Sequence, residues 1–387
     1  MDVEKFNTFE FYGKEFGKLV KTKTFYGINS VYQPLTLYHC SVNSSSYKSI
    51  PYSMVTSDMY VIGNVAQSPI IHFTDKTKIK KIKYYNDNIK CIFSNKSMMI
   101  KRQENKMNIS AKKEKEIIVS RAYYKDVKII VKLINSYSHF GNVYNINIKP
   151  FSYFEIFFSK SVGLDTVLKI SNRIDSIIHM FLFTLGRSGE LTLYDTKNNS
   201  YSFINLHNND KELKNSNFCI DKNNGYSNFD KLFNLFINID DYNSNAFFPF
   251  INYDREISSI EIQFLEYYRV LEFTDMEERK RHGKERNKYF LLDMLKKYPI
   301  VKNKYFGNQS ENDIEKEIRS LRNYYSHNGY YLKELPVPTF SPKYYKKMDK
   351  QWLYDVRNFM KVLAYLEIYN FADIAANEND LLIHLKF

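Results

Sequence analysis

The sequence predicts an α+β protein: a β-rich N-terminal domain that ends in one helix, followed by an all-α helical bundle. Three observations carry this. Up to about residue 160, short runs of β-branched and aromatic residues alternate with Asn, Ser and Gly breaks. From Asp165 onward, apolar residues recur three or four apart, which is the period of an amphipathic helix. Residues 207–227 then lack any sustained period and are polar and Asn-rich. The expected domains are therefore 1–206 and 228–387, joined by a linker at 207–227, and a chain of 387 residues is too long for one ordinary core.

In the N-terminal domain the strand candidates are "KLVKTKTFYGI", "MYVIGNV", "IKCIFS", "EIIVSRAYY", "VKIIVKLI" and "YNINIKPFSYFEIFF". No helix-length segment separates them, so an antiparallel sheet is expected. The charged stretch "KRQENKMNISAKKEKE" (101–116) reads as a solvated hairpin tip or loop. Val167, Ile170, Ile174 and Ile178 then place a helix on "DTVLKISNRIDSIIHMFLFTLG". "ELTLYD" and "YSFINL" read as a closing hairpin.

The C-terminal part reads as helices on "FDKLFNLFINI", "EISSIEIQFLEYYRVLEFTDM", "NKYFLLDMLKKYP", "ENDIEKEIRSLRNYYSH" and "QWLYDVRNFMKVLAYLEIYNFADIA". The second has Ile257, Ile260, Phe264, Tyr268 and Leu271 on one face, and the third stops at Pro299. Loops of moderate length favour an antiparallel bundle.

Composition narrows the function classes. Hydrophobic residues at 44% and charged residues at 26% describe a soluble globular chain. A net charge of +13 suits a polyanionic partner, because Lys and Arg release counterions on binding phosphates. Cys40, Cys91 and Cys219 are odd in number and far apart, which offers no disulfide framework and fits a reducing cytoplasm. The N-terminus has no signal pattern, and the most apolar run, "IIHMFLFTL", is half the length a bilayer requires, so no membrane role is expected. His39, His72, His139, His179, His207, His282 and His384 stand singly, so no metal site and no cofactor are expected; His179 reads as a core histidine. "HGK" lacks the remainder of a phosphate-binding loop, and "LGRSGE" fails as a nucleophile elbow because Glu190 replaces the second Gly.

The sharpest feature is "RSLRNYYSHNGYY" (319–331), which holds Arg322, Asn323 and His327 in the spacing R-N-x-x-x-H. Ile314, Ile318, Leu321 and Tyr325 define the core face of its helix. At about 100° per residue, Asn323 and His327 fall on the opposite side and Arg322 on a shoulder. Asn328-Gly329 is a natural helix stop, so His327 sits in the last turn. Such residues can serve a helix end alone, where Arg and His complement the dipole. They also suit chemistry on RNA. His exchanges protons near neutral pH, Arg clamps a phosphate, and Asn orients either partner.

Residues 228–387 resemble a HEPN domain, a helical bundle whose ribonuclease members carry an R-x4–6-H motif, often R-N-x-x-x-H. Arg322, Asn323 and His327 match it residue for residue, and "IQFLEYYRVLE" resembles the family's long first helix, with its acidic position at Glu272. The β-rich part, closing with "FSYFEIFFSKSVGLDTVLKISNRIDSIIHMFLFTLGRSGELTLYD", resembles the N-terminal domain of ApeA-type bacterial anti-phage proteins.

This resemblance implies a metal-independent endoribonuclease acting in abortive infection, with transfer RNA a candidate substrate. The site is expected at a homodimer interface, and the N-terminal domain is expected to sense a phage-derived trigger. Arg322, Asn323 and His327 are the expected catalytic residues, supported by Glu272, Arg319 and Ser326. Surface exposure is expected for Glu266. The basic stretch "EERKRHGKERNK" offers Arg279, Lys280, Arg281, Lys284, Arg286 and Lys288 as RNA contacts, or simply as a solvated connection. The competing reading is a catalytically silent module that binds RNA or a protein and regulates a defence system.

Overall fold

The computed structural model describes residues 10–11, 23–28, 34–47, 50–56, 59–63, 73, 76–93, 98–103, 106–111, 116–142, 145–182, 189–205, 224–238, 259–285, 289–328 and 350–384. The chain divides into two compact units, Met1–Asp175 with Gly186–Glu212 and Ser176–Leu185 with Leu213–Phe387. One unit is built on antiparallel sheet and the other on helices, giving a mixed α+β protein.

In the first unit the early strands are β1 (Glu10–Phe11), β2 (Lys23–Ile28), β3 (Pro34–Tyr47), β4 (Ile50–Thr56) and β5 (Met59–Gly63). They are followed by β6 (Ile79–Tyr85), β7 (Met98–Gln103), β8 (Lys106–Ala111), β9 (Ile117–Tyr124) and β10 (Val127–Asn142). The last three are β11 (Asn145–Val162), β12 (Glu190–Asp195) and β13 (Ser200–Asn205). The main sheet runs β1-β2-β3-β5-β13-β12-β6-β11-β10-β9, with β4 on β3, while β7 and β8 pair separately. The sheet is antiparallel, as hairpin-length connections allow.

Alternation sets the two faces of this sheet. Ile82 and Tyr84 on β6, Phe154 and Ile156 on β11, and Leu191 and Leu193 on β12 are buried. The residues between them are half-buried or exposed. Helix α2 (Leu164–Leu182) begins in this unit and buries Val167, Ile170 and Ile174. Its Asp175 accepts hydrogen bonds from the Tyr84 hydroxyl and, at 3.0 Å, from the Gly189 N–H. From Ser176 onward the same helix is counted with the helical unit. There His179 is buried, and its Nε2 lies 2.7 Å from the Tyr365 hydroxyl.

One expectation for this unit changes. The described residues of "IKCIFS" form no strand; residues 89–92 make one helical turn, α1 (Ile89–Ile92). The Asn86 side chain accepts the Asn88 N–H at 2.9 Å and turns the chain out of β6. Ile89, Ile92 and Phe93 are buried by that turn, and a short apolar run cannot distinguish it from a strand. The charged stretch 101–116 contributes to both strands of the β7–β8 hairpin.

The helical unit contains α3 (Gly225–Ile237), α4 (Ile260–Arg281), α5 (Phe290–Lys297) and α6 (Pro299–Phe306). It continues with α7 (Glu311–Asn328), α8 (Lys350–Phe371) and α9 (Glu378–His384). Helix α4 packs against α8, α7 and α5, and α8 also meets α6. Phe264, Tyr268 and Leu271 are buried on α4 as the period requires, whereas Ile260 is half-buried and Ile257 lies outside the described residues. Glu266 is 8% exposed, against the surface position expected for it. With three helices against α4, burial extends beyond a single stripe. Pro299 ends one helix and opens the next, because a first-turn residue needs no N–H partner.

Candidate functional site

Helix α7 is started by Ser310. Its hydroxyl accepts the Asp313 N–H at 3.2 Å, an N-cap, and donates to the Asp313 carboxylate at 2.7 Å. Ile314, Ile318 and Leu321 are fully buried. Tyr325, expected in the same stripe, is only half-buried, with its ring centroid 6.2 Å from that of Phe264. Arg322 and Asn323 are half-buried and Ser326 is exposed. His327 lies in the helical backbone of α7, and its side chain lies outside the described residues.

Arg322 is held from three directions. Its Nη2 lies 3.9 Å from Glu272 Oε2 on α4. Its guanidinium centre stands 5.7 Å from the ring centroid of Tyr268, one turn earlier on α4. Its Nη1 donates to Asn323 Oδ1 at 3.3 Å. The Arg322 and Glu272 side chains are 32% and 27% exposed, so the pair is worth about 0–1 kcal/mol in stability. Its physical consequence is orientation. A half-exposed guanidinium retains donors for an incoming phosphate or carboxylate.

Tyr268 was not singled out by charge or motif, yet it forms the floor under Arg322. Burial pushes its phenol up to about 12; the Glu272 carboxylate adds to the shift and Arg322 opposes it. The hydroxyl is therefore neutral at physiological pH. The i, i+4 spacing of Tyr268 and Glu272 was the signal that could have linked them.

Arg319 is engaged elsewhere. Its Nε lies 3.3 Å from Glu315 Oε1, and its guanidinium lies over Tyr289 at 5.2 Å. Glu315 is buried, 3% exposed, so Arg319 supplies the charge that partners a carboxylate at the α7 core edge.

The basic end of α4 splits in the same way. Arg279 donates from Nε to both Asp275 oxygens at 3.0 and 3.1 Å, and from Nη2 to Asp293 at 2.9 Å, tying α4 to α5. Arg281 lies 4.0 Å over the Phe371 ring. Lys280 and Lys284 are exposed, with Lys280 3.9 Å from Glu277. Arg286 and Lys288 lie outside the described residues. Gly283, at φ +65, makes the left-handed turn after the helix.

No family model, no curated protein and no solved structure matches this chain. Among the described residues, no group of three or more His, Cys, Asp or Glu side chains is placed to hold a metal ion. No described helix is long and apolar enough to cross a membrane.

Proposed function

We propose that this chain is a cytoplasmic endoribonuclease of anti-phage defence, with its helical unit a HEPN bundle and its site built on α7. The observation that carries the reading is the setting of Arg322. It is half-exposed, held by Glu272 and Tyr268, bonded to Asn323, and five residues before His327 on one helix.

In this reading Arg322 binds the scissile phosphate and His327 removes the proton from the adjacent RNA 2′-hydroxyl. The resulting alkoxide attacks phosphorus, forms the P–O2′ bond and expels the 5′-oxygen, which takes up a proton. The products are a 2′,3′-cyclic phosphate and a 5′-hydroxyl end. The nucleophile belongs to the substrate, so the step needs no metal-activated water. Asn323 orients Arg322, and a second copy of the chain completes the cleft. A phage-derived trigger acting on the sheet unit would start cleavage.

The test is incubation of purified protein with total RNA in EDTA. Cleavage is expected, with cyclic-phosphate ends, and it should vanish in Arg322→Ala and His327→Ala while the circular dichroism spectrum is unchanged. Cleavage retained in both variants would overturn the assignment. Salt-sensitive RNA binding without cleavage would point instead to a silent binding module.

A further inference from the structure

The outward face of the main sheet in the first unit is neither core nor ordinary polar surface. The inward residues of β6, β11 and β12 are buried, so the opposite side should carry mainly polar groups. It carries aromatic rings interleaved with lysines. Tyr194, Lys81 and Phe157 sit side by side across β12, β6 and β11. In the next row lie Thr192, Lys83, Glu155 and, on β10, Lys132. Beyond it Tyr85 faces Tyr153, with ring centroids 4.9 Å apart, and Phe151 stacks 6.0 Å from Tyr153. All of these side chains are half-buried, open on one side to solvent.

The cations are seated on the rings. Lys81 Nζ lies 4.4 Å from the Tyr194 centroid, Lys132 4.8 Å from Phe157, and Lys83 5.4 Å from Tyr153. Glu155 lies 3.7 and 3.6 Å from Lys81 and Lys83, and Glu116 lies 2.7 Å from Lys132. At the far margin Arg121 and Lys128 add further positive charge, while Glu190 stands opposite Tyr85. The balance of the face is positive. Burial pushes the Tyr85 phenol up to about 12 and raises that of Tyr153, so neither ring brings negative charge at neutral pH.

We infer that this sheet face is a platform for single-stranded RNA. Rings exposed on one side offer stacking surfaces to unstacked bases, and lysines between them meet the phosphates of the same strand. A duplex keeps its base faces covered and cannot use the rings. The inference is independent of catalysis at Arg322, because it concerns binding in the other unit.

The test is fluorescence anisotropy of the full chain with a short fluorescein-labelled oligouridine carrying 2′-O-methyl riboses. Such a probe lacks the nucleophile and survives even if the protein is a nuclease. Salt-dependent binding is expected, with a duplex of equal length bound more weakly. Tyr153→Leu and Phe157→Leu keep apolar bulk but remove the ring, and each should weaken binding roughly tenfold, on the order of one lost stacked base. Lys83→Gln should lower the salt slope by about one. Thermal unfolding of each variant shows that the sheet is intact. Absence of binding by the parent, equal binding of the duplex, or unchanged affinity in both ring variants would overturn the inference. In the last case RNA bound elsewhere would leave this face to a protein partner.

Discussion

Arg322 on α7 and Glu272 on α4 face each other at 3.9 Å, with Tyr268 beneath the guanidinium. The contact is too exposed to matter much for folding; on the proposed ribonuclease reading, its removal should be felt in cleavage. Glu272→Gln should lower RNA cleavage by about tenfold while shifting stability by less than about 1 kcal/mol. Tyr268→Phe keeps the ring under Arg322 and should retain most cleavage. The combination is read by single-turnover cleavage alongside urea unfolding. A large stability loss in Glu272→Gln with unchanged cleavage would make the pair structural.

The two charge types at the end of α4 should separate cleanly. Arg279 is tied to Asp275 and Asp293, so Arg279→Ala breaks the α4–α5 tie and leaves Asp275 in a site that already pushes its carboxyl upward by burial. A loss of roughly 1–3 kcal/mol is expected from removing charged hydrogen bonds. Lys280 is exposed, so Lys280→Ala should leave the unfolding midpoint alone and reduce only the salt dependence of any RNA binding. Denaturant titration and binding at two salt concentrations distinguish them.

Much of this arrangement was legible in the sequence where periodicity is strong. Ile314, Ile318 and Leu321 repeat along α7 and are buried as expected, and the hairpin at "ELTLYD" and "YSFINL" pairs as read. Periodicity failed where burial is set by neighbours rather than by pattern. Glu266 and Glu315 are buried because adjacent helices cover them, and no property of the residue itself announces this. "IKCIFS" failed for another reason: four residues satisfy both a strand and one helical turn, and the Asn86 side chain decides between them. The roles of Arg279 and Arg319 depend on carboxylates at Asp293 and Glu315 that a count of basic residues cannot weigh.

Alkaline pH should destabilise each unit in a defined window. The Tyr201 and Tyr268 phenols are pushed up to about 12, in both cases mainly by burial, while an unfolded tyrosine ionises near about 10. The folded state therefore holds protons that the unfolded chain releases, and stability falls as pH rises. The contribution is fully present below about pH 10 and is lost as pH climbs through about 12, on the order of 2 kcal/mol for each of these buried rings. Near-ultraviolet phenolate absorbance followed together with circular dichroism is the measurement. Ionisation of these tyrosines well before loss of structure would contradict their burial.

Gly189 enters β12 beside the Tyr84 ring, and its N–H donates to Asp175, the same carboxylate that accepts the Tyr84 hydroxyl. A Cβ placed on Gly189 would lie 2.2 Å from the ring of Tyr84, which is fully buried and stacks against Phe154. The ring cannot move aside without opening the core, so Gly189→Ala should cost about 1–3 kcal/mol, the range seen for overpacking. Tyr84→Phe removes only the hydroxyl and leaves the ring in place. Its cost should come from Asp175, a buried carboxylate that loses one donor but keeps the Gly189 N–H, and from the buried Asn86 amide, which donates to that hydroxyl at 3.2 Å; about 1–2 kcal/mol is expected. If steric pressure is the cause, a smaller side chain at residue 84 should relieve it. The double variant Gly189→Ala, Tyr84→Leu should then be less unstable than the sum of its single changes, as contacting residues require. Additive costs in that double-mutant cycle, measured by urea unfolding, would show that the glycine is needed for backbone freedom and not for the space taken by Tyr84.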